Sequence, residues 1–188
     1  MRKAMFCLLI ISLVVPASAD ISLVGDKDGF GVGCPIVGGL HFTDYGAYWG
    51  DYRTIGDPDF TDVWETGIRS WTQNYTVGSP MSASLELFLA GIADYGTWSA
   101  DIVFDGTTIG TLPGVEGWHD VTRLVSFDVP IGLLDGSSAI QIAPSSSGDG
   151  YIVDFAELTI QAVPAPAALL LGTLGLSTAG LRLRRMRR

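Results

Sequence analysis

From Ser82 to Ala162 the chain alternates apolar and polar residues in short runs, and each run ends at a turn signal. A strand with one buried face repeats every two residues, whereas a helix face repeats every 3.6. Leu85, Leu87 and Leu89 keep the shorter period within Ser82–Gly91. Trp98–Phe104 leads into Asp105-Gly106, a pair favoured in two-residue hairpin turns, and Thr107–Leu112 follows. Val121–Val129 stops at Pro130, and Ile131–Asp135 has room for one short turn. Ala139–Ala143 and Tyr151–Ala162 close the series around a turn at Ser145–Gly150. Ahead of them lie Ile21–Val24, a glycine-rich loop, Asp62–Thr66 and Ile68–Val77. No helical period is sustained between residues 20 and 162, so the pattern predicts an all-β domain, a single β-sandwich or jelly roll. A body of about 143 residues can build one core without disulfides. Cys34 is its single cysteine and is expected to be buried.

Charge separates this body from the two ends. All 20 acidic residues but only four of the 11 basic ones fall between Asp20 and Glu157, which leaves that stretch at −16. Phosphate backbones are bound by clustered Lys and Arg, so nucleic acid is excluded as a partner.

The first 19 residues carry Arg2 and Lys3, an apolar run from Ala4 to Val15, and Ala17-Ser18-Ala19. This is the layout of a signal peptide handled by the Sec machinery and signal peptidase, with the mature chain starting at Asp20. The alternative, an N-terminal membrane anchor, needs a longer apolar run. Cys7 lies inside the apolar run, away from the cleavage point, which argues against a lipoprotein. At the other end, an uncharged stretch from Ala167 to Leu181 precedes five arginines. Arginines so placed remain cytoplasmic, which leaves the body outside. A permanent C-terminal transmembrane helix is the competing reading of this stretch.

Val163-Pro164-Ala165-Pro166, the Leu/Gly-rich segment and the cluster Arg182, Arg184, Arg185, Arg187 and Arg188 together resemble a PEP-CTERM sorting signal. The resemblance covers residues 163–188 and implies a Gram-negative exporter, transient membrane anchoring, processing by exosortase, and delivery to the cell surface or an exopolysaccharide matrix. Ala165 stands where the eponymous glutamate would be. The body, with Gly25–Gly31 at its opening and Asp154–Ile160 at its close, is similar to uncharacterised exported proteins of that group with a galactose-binding-like sandwich.

Asp26-Lys27-Asp28-Gly29 sets two carboxylates two residues apart before a glycine. A tight loop of this kind aims several oxygens at one cation, as Ca²⁺ prefers, with Asp154 or Glu157 of the last strand as the expected completion. The competing reading is a plain Asp-Gly turn. A second acidic run, Asp57 to Asp62, reads as a solvated loop, with cation binding as the competing reading. Tyr45, Tyr48, Trp49 and Tyr52 are candidates for a glycan-stacking platform, against the ordinary role of large aromatics in a sandwich core.

Catalytic signals are weak. His41 and His119 lack zinc-site spacing, and there is neither a G-x-S-x-G elbow nor a P-loop. The sequence therefore favours a non-enzymatic, exported surface or matrix module that binds exopolysaccharide, with Ca²⁺ as a candidate cofactor. The alternative is a secreted carbohydrate-active enzyme with its acids among Asp94, Asp101, Glu116 and Asp120. A purely structural matrix protein is a third reading.

Overall fold

The computed structural model describes residues 19–46, 61–92, 98–114, 120–145 and 150–163. Eight strands carry them: β1 Ala19–Gly25, β2 Arg69–Asn74, β3 Pro80–Gly91, β4 Ser99–Phe104, β5 Thr107–Pro113, β6 Thr122–Asp128, β7 Ser137–Pro144 and β8 Tyr151–Ala162. One sheet has the order β1-β8-β3-β6 and the other β2-β7-β4-β5. The pairing is nested: first strand with last, second with seventh, third with sixth, fourth with fifth, all antiparallel. The chain is thus one long folded hairpin, rolled so that β3 also pairs with β8 and β4 with β7. That is a jelly-roll β-sandwich, as the strand rhythm predicts. Ala19–Ala162 forms one unit.

The tip of the long hairpin is Asp105-Gly106, and both residues take positive φ, 47° and 76°. Such backbone suits the right-handed twist of the flanking strands. Between the sheets, Leu85, Leu87 and Leu89 of β3 and Leu158 of β8 meet Ile102 and Phe104 of β4 and Ile140 and Ile142 of β7. All are fully buried. Burial of each such side chain contributes about 1.5–3 kcal/mol. Trp71 and Tyr75 pack against this core and not outward, so these two of the early aromatics are structural.

A second apolar cluster lies apart from the first, where Phe88 and Ala90 of β3 and Ile152 and Phe155 of β8 join Phe30, Cys34 and Phe42. Phe30 is its plug, with ring centroids 5.4 Å from Phe42 and 4.9 Å from Phe88. Cys34 is buried, as expected, and burial raises its thiol pKa, with the Asp154 charge adding to the effect.

One predicted strand is corrected. Asp62–Thr66 forms no ladder, and only Glu65 makes a bridge, to Tyr151. Asp62 sits at φ 56°, in the left-handed region, which breaks an extended run at its first residue. Ile131–Leu133 is the short helical turn that Ile131–Asp135 allows. Among the described residues no helix is long and apolar enough to cross a membrane. Val163 is exposed, while Pro164, Pro166 and Arg182 to Arg188, with the apolar stretch between them, lie outside the described residues.

Candidate metal centre

β8 changes its inward parity midway. Tyr151 and Val153 face the main core, and so do Ala156, Leu158 and Ile160, whereas Ile152 and Phe155 join the second cluster. The break is a bulge: Phe88 pairs with Phe155, and the next residue, Leu89, pairs with Val153. Asp154 is the residue left over. A bulge re-aims the side chain it carries. Here it brings the Asp154 carboxylate to the loop after β1, where Asp154 Oδ1 accepts from the Phe30 N–H at 2.6 Å.

That loop is held by its own backbone chemistry. Gly25 ends β1 at φ 83°, and a Cβ there would lie 2.2 Å from the Asp154 carbonyl oxygen. Only glycine fits so close an approach. Asp28 Oδ1 accepts from the Gly31 N–H at 2.6 Å and caps a kinked helical turn, Gly29–Gly33. Within it Phe30 and Gly31 are both left-handed, and Phe30 pays for its φ of 62° by burying its ring. Lys27 turns the other way, with Nζ 2.6 Å from Glu157 Oε2 and 4.6 Å from the centre of the Phe155 ring. Glu157 is therefore the partner of Lys27, and Asp154 is the last-strand acid that meets Asp26 and Asp28.

Asp62 completes the group. Its N–H donates to the Val153 carbonyl at 2.8 Å, which sets it beside the bulge. Asp26, Asp28, Asp62 and Asp154 each present one carboxylate oxygen within 4.8 Å of the others. Asp62 and Asp154 are buried, and Asp26 and Asp28 are exposed. Burial pushes the Asp154 carboxyl up to about 7, and the charges of Asp28 and Asp26 push it the same way against the Phe30 N–H. Asp154 Oδ2 is buried with no hydrogen-bond partner. Two things satisfy such an oxygen: a proton shared with a neighbouring carboxylate, or a cation. The donors are all carboxylate oxygens, a set suited to a hard ion and not to zinc or copper. These residues fit a divalent cation.

Tyr45 is 40% exposed at the end of the short helical turn Phe42–Tyr45. Tyr48, Trp49 and Tyr52 lie outside the described residues, as do Asp57, Asp59, Asp94, Glu116 and His119. Asp101 is exposed on β4 and accepts from the Thr111 hydroxyl at 2.8 Å. Asp120 is buried, hydrogen-bonded through Oδ1 to His41 Nδ1 at 2.9 Å and through Oδ2 to the Thr43 hydroxyl. The Asp120 hydrogen bond raises the His41 pKa, and the Asp120 and Asp44 charges add to it against partial desolvation. Both oxygens of Asp120 hold the Phe42–Tyr45 turn against the start of β6, which is a structural task.

No family model and no curated protein matches the chain. Among solved structures it is similar to dimeric latent PorU from Porphyromonas gingivalis, at 16% identity over 52% of this chain, with a TM-score of 0.42. The matched region spans 10% of PorU. It is also similar to the CBM36-1 domain of a multidomain xylanase from the hindgut metagenome of Trinervitermes trinervoides, at 15% identity over 75% of this chain and 96% of that one, with a TM-score of 0.40. A third likeness is to a CBM36 carbohydrate-binding module in complex with calcium and xylotriose, at 17% identity over 48% of this chain and 71% of that one, with a TM-score of 0.34. Likeness of this degree identifies neither a ligand nor an activity.

Proposed function

We propose that this chain is an exported, non-enzymatic β-sandwich module that holds one calcium ion at Asp26, Asp28, Asp62 and Asp154 and associates with exopolysaccharide at the cell surface. The observation that carries the metal reading is the convergence of four carboxylates on one point, with the orphaned Oδ2 of Asp154 fully buried among them. A bound cation would supply charge neutralisation. It would tie the end of β1, the segment before β2 and the bulge of β8 into one unit, with no chemical step required of it. The glycan reading rests on Tyr45, exposed where the chain enters the aromatic-rich run containing Tyr48, Trp49 and Tyr52. Export and exosortase sorting rest on the two chain ends, the second on its resemblance to a PEP-CTERM signal.

Thermal unfolding with EDTA and with millimolar Ca²⁺ tests the metal. A ligand that binds only the folded state raises the midpoint by mass action. The midpoint should rise in calcium for the native protein and stay put in Asp26→Ala. An unchanged midpoint in the native protein would leave Gly25–Gly31 a structural turn. Co-sedimentation with exopolysaccharide, with and without EDTA, tests the glycan separately.

A further inference from the structure

On the inner side of β2 stand Arg69, Trp71 and Gln73, where the neighbouring strands present aliphatic side chains. Gln73 is satisfied on one side only. Its Nε2 donates to the Ser22 carbonyl at 3.0 Å and to the Ala156 carbonyl at 2.8 Å, which ties β2 to the opposite sheet. Its Oε1 is buried and accepts nothing. Arg69 is 8% exposed, yet Nη1 has no hydrogen-bond partner, because Glu65 Oε1 stands 3.6 Å away. Trp71 Nε1 is likewise buried with no acceptor. Arg69 and Trp71 line one small gap together with Val24, Thr61, Val153 and Ala156.

Each of these two residues that line the gap carries a buried N–H without a hydrogen-bond partner, and a buried donor left unpaired costs more than the same donor in water. The occupant that satisfies them must accept hydrogen bonds and must fit a gap only just large enough for a water molecule. An anion is disfavoured. Glu65 already faces Arg69, and Asp62, next to Thr61 in the chain, adds its negative field there. A neutral oxygen meets no such repulsion. We infer that this gap between β2 and β8 is an internal water site, in which an ordered water accepts from Arg69 Nη1 and Trp71 Nε1. A buried water commonly makes about three hydrogen bonds. Gln73 Oε1, next along the same face of β2, is the unmet acceptor in that row. The water completes a polar seam that joins the two sheets at their β1–β2 side.

Water NOE and ROE spectra of the native protein test this through the Trp71 indole proton, assigned by through-bond experiments. The expected result is a cross-peak to water with NOE and ROE of opposite sign, the mark of a water that outstays molecular tumbling. It should persist in EDTA, which separates this site from the metal reading. A crystal structure should show one oxygen within hydrogen-bond distance of both nitrogens. An indole proton with no water cross-peak would overturn the inference. So would an ion in the gap, seen as a chloride- or formate-dependent shift of the same proton.

Discussion

Asp154→Asn isolates the strain at the centre of the cluster, because asparagine keeps an oxygen for the Phe30 N–H and removes the charge. The native carboxyl is raised from 3.8 to about 7. That is roughly three units, or about 4 kcal/mol at 1.36 kcal/mol per unit. Since the raised pKa belongs to the folded state, the folded protein binds the extra proton between these values. Metal-free stability therefore declines as pH rises from about 4 to about 7 and is level above that. In EDTA at about pH 8 the variant should exceed the native protein by up to about 4 kcal/mol, on the order of 10 °C in midpoint. At about pH 4 the two should coincide, because both side chains are then neutral. Calcium should close the gap: it stabilises the native protein by about 2.7 kcal/mol at a hundredfold excess over Kd and by about 4.1 kcal/mol at a thousandfold, and leaves the variant where it was. Thermal melts at the two pH values with EDTA or calcium make the full comparison. An Asn variant less stable than the native protein in EDTA at about pH 8 would refute the reasoning, since the carboxylate would then be a net stabiliser without metal.

Phe30 and His41 supply two further tests. Phe30→Ala empties the centre of the second core and should cost about 3–5 kcal/mol in denaturant unfolding. It should also weaken calcium binding, because Phe30 anchors the loop that carries Asp26 and Asp28. His41 should titrate above 6.5 by NMR, and its pKa should drop in Asp120→Asn. The sign is that of a group held charged in the fold: its contribution is complete below about 6.5 and is lost as pH rises through the higher folded value.

The strand rhythm made the sandwich legible, and the ends of β8 were readable to the residue. Asp105-Gly106 marked the hairpin tip because only a few residue pairs tolerate two positive φ angles. Asp26 and Asp28 were visible through local spacing, and Asp154 through its place on the last strand. Asp62 stood out only within an acidic run whose first reading is a solvated loop, and its junction with Asp26 and Asp28 was hidden because it is made by tertiary contact across some 35 residues of chain. One signal bears on it indirectly: the run Tyr-Ile-Val-Asp-Phe-Ala-Glu-Leu cannot keep a single inward parity, which foretells a bulge near Asp154. The second core escaped the sequence reading because Phe30 and Phe42 sit in glycine-rich and irregular chain with no period to expose them. The polar row Arg69, Trp71 and Gln73 alternates as a strand should, but alternation alone does not say which face is inward.

The most direct test of the central claim is a calorimetric titration of the chelator-stripped protein with calcium at about pH 8, where the metal-free Asp154 is ionised. The account predicts one ion bound per chain, with the heat lost in Asp154→Asn and in Asp62→Asn. Absence of binding at millimolar calcium, or binding that survives both substitutions, would show that the four carboxylates are not a metal centre.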